Sequence, residues 1–417
     1  MRLPRRALVV GLARSGQAAA LALNRRGVPT VGVDQAADLD TGRLAEAGVE
    51  VHLGTQEADV LEGVDLVIKS PGVPGESPLP VAAHARGVPV WSEVELGFRL
   101  LRSPLIGVTG TNGKTTTSEL LGAIFRAAGK PVAVAGNVGR PLTGLDGELD
   151  PDAWIVCELS SFQLEDVHRF RPRIAVLLNL EPDHLDRHGT YEAYRAAKLR
   201  IFEHQTEADT AVVPRDFGNL PGGGVRVDFR ADDPLPAEPL IPGEHNRENA
   251  AAATAAARAA GIEDEAIADA LRTFPGVEHR LELVAEVDGV RFVNDSKATN
   301  TSAARRGIAA YAGQPLRLIL GGSLKGESFD ELAGELPANV RSIDLIGQAS
   351  DELAAALGRA GRPYRRSGDL ATAVGAAAGE AEPGDVVLLS PACASYDQFR
   401  DFEERGATFR RLVGELW

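Results

Sequence analysis

The chain reads as an α/β protein built from several parallel-sheet units, and three observations predict this. Apolar runs of strand length recur along its 417 residues with helical or loop material between them. Two of the runs end in glycine-rich turns that open a helix, GLARSG at 11–16 and GVTGTNGKTT at 107–116. The length also exceeds what one hydrophobic core serves, so two or three domains are expected.

The first unit opens with an apolar run at 6–11, a helical stretch to Gly27 and a strand at 30–34. Further strands are expected at 49–53, 65–70 and 88–91, and the unit ends near Ser92. The second unit has strands at 105–108, 154–158 and 174–179. A Pro/Gly-rich connection at 220–243 follows, then an Ala-rich helix at 246–260 and a helix reaching Thr273. The segment FPGVEHR at 274–280 reads as a linker. The third unit alternates helices with strands near 281–287, 316–320, 342–346 and 386–390. The expected domains are therefore 1–92, 93–276 and 277–417, with no internal repeat.

Composition excludes several classes. With 44% hydrophobic and 25% charged residues and no low-complexity tract, the chain has ample core material. A net charge of −15 without a basic patch argues against nucleic acid and anionic membrane as partners. Two distant cysteines, Cys157 and Cys393, offer neither a disulfide framework nor metal-ligand spacing, and a reducing cytoplasm fits them. Arg14 interrupts the apolar stretch behind the basic start, so no secretory leader is expected, and no run is long and apolar enough to span a membrane. A monomer is expected. Only six of the 44 basic residues are lysines, so a position that stays lysine is a candidate for needing an amine.

GLARSG resembles the dinucleotide fingerprint, with Ala13 at the middle glycine and Asp34 ending the next strand. Alone it marks a structural tight turn as readily as a nucleotide site. The run 106–116 is stronger. Phosphate oxygens require converging N–H donors, a point charge and a hydroxyl for Mg²⁺, and Gly110, Thr111, Asn112, Gly113, Lys114, Thr115 and Thr116 supply that set at a helix start. Val108 stands where the first glycine of the phosphate-loop pattern belongs. A nucleoside triphosphate, ATP foremost, is expected there.

Glu158 and His184 follow apolar strands and would share the phosphate-loop edge of the sheet, where a metal-ligand role and a solvated ion pair with the neighbouring aspartates are both open for the histidine. Lys198 shares a helical stripe with Tyr191, Tyr194, Ile201 and Phe202. Burial there would favour a neutral, reactive amine, while a snorkelling ammonium is the alternative. Lys114, Lys198, Lys297 and Lys325 all fall in polar strings at strand ends, which favours anionic ligands.

In this order, GTNGKTT, ELSSFQLE, DHLDRH, YRAAKLRI, PGEHNRENA, NDSKATN and SPACASYDQF resemble the motifs of the Mur ligase family over essentially the whole chain. The last two resemble the member that adds D-glutamate. The resemblance implies three domains: a Rossmann-like UDP-binding domain, a central P-loop ATPase domain with a parallel sheet, and a C-terminal Rossmann-like amino-acid-binding domain. It implies an ADP-forming acid–amino-acid ligase using ATP, Mg²⁺, D-glutamate and UDP-N-acetylmuramoyl-L-alanine. By motif, Arg14, Ser15, Asp34, Ser70, Gly72, Asn137, Ser160 and Gln163 would hold the UDP substrate. The residues at 110–116 with Asn249, Arg280 and Asp295 would hold ATP. Thr115, Glu158, His184 and a carbamylated Lys198 would serve the metal, and Lys297, Thr299, Lys325, Ser395 and Phe402 the D-glutamate. Lys114, Lys198 and His184 would be catalytic. The other classes weighed are a nicotinamide-dependent oxidoreductase, which leaves GTNGKTT unexplained, a nucleotide switch, and another Mur-type or folylpolyglutamate-type amide ligase.

Overall fold

A computed structural model describes residues 3–416 except 56, 151 and 325, with the side chain of Asp186 also set aside. The described residues form three sheets. The first contains β1 (Ala7–Val10), β2 (Thr30–Asp34), β3 (Glu50–Leu53), β4 (Leu66–Lys69) and β5 (Val90–Ser92) in the order β3-β2-β1-β4-β5, all parallel. The second contains β6 (Leu105–Thr109), β7 (Val132–Gly136), β8 (Trp154–Glu158), β9 (Ile174–Leu177), β10 (Thr210–Pro214) and β11 (Val225–Phe229). Its order is β11-β10-β9-β6-β8-β7, again all parallel.

The third contains β12 (Glu282–Val287), β13 (Val290–Asn294), β14 (Leu316–Gly321), β15 (Val340–Ile346), β16 (Arg365–Gly368) and β17 (Val386–Leu389), ordered β12-β13-β17-β14-β15-β16. Only β12 and β13 pair antiparallel. The chain divides into two compact units, one of residues 1–239 and 245–273 carrying the first two sheets, the other of residues 240–244 and 274–417 carrying the third.

The central strands are continuous apolar runs because helices cover both faces of each sheet. Leu8, Val9, Ile106, Val156, Val176, Leu318 and Leu388 are all fully buried. Every strand expected from the sequence is present to within two residues at each end; the run at 174–179 stops at Leu177. Asn179 lies beyond that strand and accepts a hydrogen bond from the Asn112 amide.

Five strands escaped the sequence reading: β7, β10, β11, β13 and β16. The stretch 220–243, read as a connection, contains β11, an edge strand that alternates polar and apolar side chains and so lacks the continuous apolar run. β13 follows the two-residue turn Asp288-Gly289, whose residues have φ +51° and +77°, the signature of a tight hairpin. The segment 274–280 belongs to the second unit, and it is not loose. His279 is buried at φ +62°, and its ring lies 2.9 Å from the Asn294 amide nitrogen.

The last glycine of GLARSG shows how tightly the first turn is built. A Cβ on Gly16 would lie 1.8 Å from the Gly11 carbonyl oxygen, so helix and strand can pack this closely only with glycine there. Gly16→Ala is expected to cost about 2–3 kcal/mol through forced overpacking. Gly75→Ala, at a position with no atom nearby, should unfold with the wild type. Thermal unfolding of both variants checks this, and equal midpoints for the two would contradict the packing account.

Candidate active site

In the first sheet β1 and β4 are neighbours although the chain leaves β1 towards β2, so the crevice beyond their ends is a topological switch point. A cavity of about 420 Å³ opens there. Arg14, Ser15, Asp34, Ser70 and Gly72 line it from the first sheet, and Asn137 and Gln163 from the second. Ser70 Oγ donates to the Gly11 carbonyl at 2.7 Å. The Asp34 carboxylate accepts from the Leu12 amide at 2.6 Å and the Ala36 amide at 2.9 Å, so this acid braces the turn. Arg14 donates to the Gly139 carbonyl at 3.0 Å, tying the turn to the loop after β7.

Ser160 is not among the lining residues. It caps the helix Ser161–Leu164, in a reciprocal pair with Gln163 that leaves the buried Gln163 Nε2 without a hydrogen-bond partner.

The second site forms at the end of β6, between β8 and β9. The turn at 110–113 needs its glycines. Gly113 sits at φ +83°, and a Cβ there would lie 2.1 Å from the side-chain oxygen of Asn249, a buried residue of the helix Glu244–Ala259. Gly113 starts the helix Lys114–Ala127, so the helix N-terminus faces the loop. Thr115 lies in its first turn and Thr116 is buried behind it. Val108, the departure from the phosphate-loop pattern, is a fully buried residue of β6.

Lys114 Nζ donates to the carbonyls of Gly110 and Thr111, both at 2.9 Å. Lys198 Nζ donates to the same Gly110 carbonyl at 2.8 Å, and the Thr111 hydroxyl is 2.9 Å from the Tyr194 hydroxyl. The helix Tyr191–Leu199 thus carries the stripe read from the sequence, with Tyr194 and Lys198 buried and the continuation Arg200–Phe202 a 3₁₀ turn. Burial, reinforced by the nearby Lys114 charge, lowers the Lys198 pKa to about 6 against the opposing pull of Asp183 and Glu158. The amine is therefore largely neutral at pH 7.

Glu158 ends β8 beside Val108 and is buried, one oxygen accepting from Asn137 at 3.1 Å. His184 has φ +51°, packs 4.8 Å from the Phe162 ring and lies 3.5 Å from the Asp183 carboxylate. The Asp183 carboxylate thus stands within reach of the ring. Among the described residues no three of His, Cys, Asp and Glu converge on a point that would hold a metal. Mg²⁺ bound through nucleotide phosphates and water needs only one or two protein oxygens, and Glu158 with the Thr115 hydroxyl are donors of that hard type.

In the second unit the polar strings gather at the ends of β13, β14 and β17. Asp295 is buried, holding Ser390 Oγ at 2.8 Å and the Leu281 amide at 3.3 Å. Burial raises its pKa to about 6 against the pull of Arg280. Lys297 Nζ stands 5.7 Å over the Phe402 ring, and the Thr299 amide donates to the Lys297 carbonyl at 2.9 Å. Ser395 is buried in the loop after β17. Lys325 lies outside the described residues.

The sequence reading missed Arg405. Its buried guanidinium donates to the oxygens of Ser296, both side chain and backbone, and to the carbonyls of Cys393 and Ala394. It therefore fixes the neighbours of Lys297 and Ser395. A signal existed, since Arg405 falls on the buried face of the helix Phe402–Gly414 with Phe409 and Val413.

With this geometry in hand, the comparisons with known proteins place the chain among ATP-site ligases. Family models match residues 5–92 (Mur ligase MurD-like, N-terminal domain), 108–220 (Mur ligase middle domain) and 279–393 (Mur ligase, glutamate ligase domain). The chain belongs to the Mur ligase family. The UDP-N-acetylmuramoylalanine--D-glutamate ligase of Acidobacterium capsulatum is 43% identical over 98% of this chain and 96% of its own. That of Geobacillus kaustophilus is 43% identical over 99% and 98%. Among solved structures, the UDP-N-acetylmuramate-alanine ligase of Thermotoga maritima shares the fold with a TM-score of 0.62 at 19% identity, covering 99% of each chain.

The state of Lys198 gives a stability test. Its pKa of about 6 in the folded chain lies below the ordinary 10.5 of an unfolded lysine, so between these values the unfolded chain binds more protons and stability rises with pH. The burden of the buried amine is greatest below pH 6 and fades towards pH 10. In CO₂-free buffer Lys198→Met should accordingly stabilise the fold at pH 6–7 by on the order of a few kcal/mol, the gain shrinking as pH rises. A gain independent of pH would contradict the buried neutral amine.

Proposed function

We propose that this chain is an ATP-dependent ligase that joins D-glutamate to UDP-N-acetylmuramoyl-L-alanine, forming ADP and phosphate. The observation that carries the reading is 43% identity, over 98–99% of the chain, to relatives bearing that activity in their names. The cavity and the phosphate loop support it, because they supply a nucleotide-sized crevice and a triphosphate cradle within one compact unit. No helix among the described residues is long and apolar enough to cross a membrane, and a cytoplasmic reaction fits substrates of this kind.

The proposed division of labour follows the sheets, with residues 1–92 and the facing Asn137 and Gln163 holding the UDP acceptor, 93–276 the ATP, and 277–417 the D-glutamate. A carboxylate at neutral pH is a poor acylating agent. The acceptor's alanyl carboxylate therefore takes the γ-phosphoryl group of ATP and becomes an acyl phosphate; the D-glutamate amine then attacks that carbonyl, and phosphate leaves as the amide forms.

The protein's part is positioning and charge stabilisation. Lys114, at the helix N-terminus, would turn from the carbonyls of Gly110 and Thr111 to the phosphates, which that N-terminus also favours. Mg²⁺, held by the phosphates with Thr115, Glu158 and His184, would neutralise charge developing on the transferred group. A neutral Lys198 amine is the form that reacts with CO₂, and the resulting carbamate would supply an anionic oxygen to the metal. Lys297 and Lys325, with Thr299, Ser395 and Phe402, would take the carboxylates of D-glutamate, and Asn249, Arg280 and Asp295 would contact the ATP nucleoside.

The deciding experiment supplies UDP-N-acetylmuramoyl-L-alanine, ATP and Mg²⁺ with each candidate amino acid, reading phosphate release and the mass of a new UDP-linked product. D-glutamate should be used and L-glutamate poorly, since inverting the α-carbon misplaces either the amine or a carboxylate. Equal rates with both enantiomers, or a product with another amino acid only, would refute the assignment. Lys114→Ala should unfold at the wild-type temperature yet release no phosphate. Lys198→Arg, which keeps a cation but cannot be carbamylated, should be as inactive as Lys198→Ala; an active arginine variant would show that a plain cation suffices.

A further inference from the structure

Three segments converge on Glu165, the residue that closes the short helix Ser161–Leu164. One carboxylate oxygen lies 3.3 Å from Lys69 Nζ and 3.2 Å from Arg187 Nη2, the other 3.5 Å from His188 Nδ1. The Glu165 backbone carbonyl accepts from Arg200. Asp166 adds a carboxylate 2.9 Å from Lys69.

Two of these cations act on the wall of the cavity. Lys69, only 1% exposed, immediately precedes the loop of residues 70–73. Arg187 grips the same loop directly, Nη1 donating to the Pro71 carbonyl at 3.1 Å and Nη2 to the Val73 carbonyl at 3.0 Å, with its guanidinium 4.3 Å over the Phe162 ring. A planar guanidinium can hold two carbonyls and a carboxylate at once, which an ammonium cannot do in that fixed geometry. The loop has little room to shift, because Val73 and Ser70 already press on Gly11, where an added Cβ would find them at 2.7 and 2.9 Å. Arg187 follows His184 by three residues and Arg200 follows Lys198 by two, so the grip joins the cavity wall to the segments carrying the reactive end of the site.

We propose that Arg187, braced by Glu165, is a positioning residue for the acyl acceptor, fixing the 70–73 wall of the cavity relative to Lys198. The inference rests on reading the cavity as the UDP-acceptor site. Arg187 meets the acceptor only through the loop carbonyls it holds, so its loss should register in acceptor affinity and spare the nucleotide.

The test is steady-state kinetics of Arg187→Ala, Arg187→Lys and Glu165→Gln with acceptor and ATP varied separately. In Arg187→Ala the KM for UDP-N-acetylmuramoyl-L-alanine should rise about tenfold or more while the KM for ATP stays within roughly twofold of wild type. Arg187→Lys, which keeps the charge beside Glu165 but not the fork, should fall between, and Glu165→Gln should shift the acceptor KM in the same direction. An unchanged acceptor KM in Arg187→Ala, or a parallel rise in both KM values, overturns the proposal. Should Arg187→Ala fail to fold, an unchanged acceptor KM in the folded Arg187→Lys overturns it equally. A wild-type enzyme that neither binds the acceptor by calorimetry nor turns it over would instead refute the reading of the cavity, and this inference with it.

Discussion

The Gly110 carbonyl accepts from Lys114 and Lys198 together, and burial with two lysine nitrogens on one oxygen disfavours charge on both. Lys198, the more deeply buried, is the one left largely neutral. The shape of the phosphate loop depends on this arrangement. The neutral amine still donates a hydrogen bond, so it pins the turn from below, while Lys114 opens the helix whose N-terminus faces the loop. Tyr194, one helical turn before Lys198, holds Thr111 from the same side, and Asn179, just past the end of β9, holds Asn112. The loop is thus held by side chains from three neighbouring segments, the kind of bracing that positioning catalysis requires.

Strand order does the corresponding work at longer range. In the first two sheets the chain reverses its direction of growth beside a central strand, β1 in one and β6 in the other, and each reversal opens a crevice where a glycine turn meets no crossing connection. The third sheet departs from this pattern through its antiparallel β12–β13 edge, yet its polar residues still collect beyond the carboxyl ends of parallel strands. Arg405 supplies there what Lys198 and Tyr194 supply to the phosphate loop, a buried donor set that fixes loop backbone from behind.

The sequence made legible what depends on runs and local spacing. The central strands, both glycine turns and the buried stripe through Lys198 follow from periodicity and from the conformations only glycine reaches. The strands that escaped differ in kind. Edge strands such as β11 face water along much of their length and lose the continuous apolar signal, β13 was masked by the polar NDSKATN string into which it runs, and β10 is an interior strand whose short buried apolar run went unread. The grouping of Arg14, Ser15, Asp34, Ser70 and Gly72 around one cavity came through the family resemblance, because residues this far apart in the chain share no local pattern. Glu165 and Arg187 stayed hidden for a related reason. Each looks like an ordinary surface charge until the fold shows which carbonyls and carboxylates surround it.

The scarcity of lysine takes on a physical meaning in this light. Arginines 26, 187, 200, 317 and 405 each satisfy backbone carbonyls or carboxylates with a planar fork, and so hold the protein to itself. Lys114 and Lys297 stand just past the ends of β6 and β13, while Lys198, near the end of the helix Tyr191–Leu199, holds the phosphate loop with a slender amine. Lys69 is the exception that tests this division: buried between Glu165 and Asp166, it does an arginine's structural work. Lys69 ends β4, a fully buried strand, and its compact ammonium meets two carboxylates at a single point, which a point charge does without the planar fork that two carbonyls and a carboxylate require of Arg187.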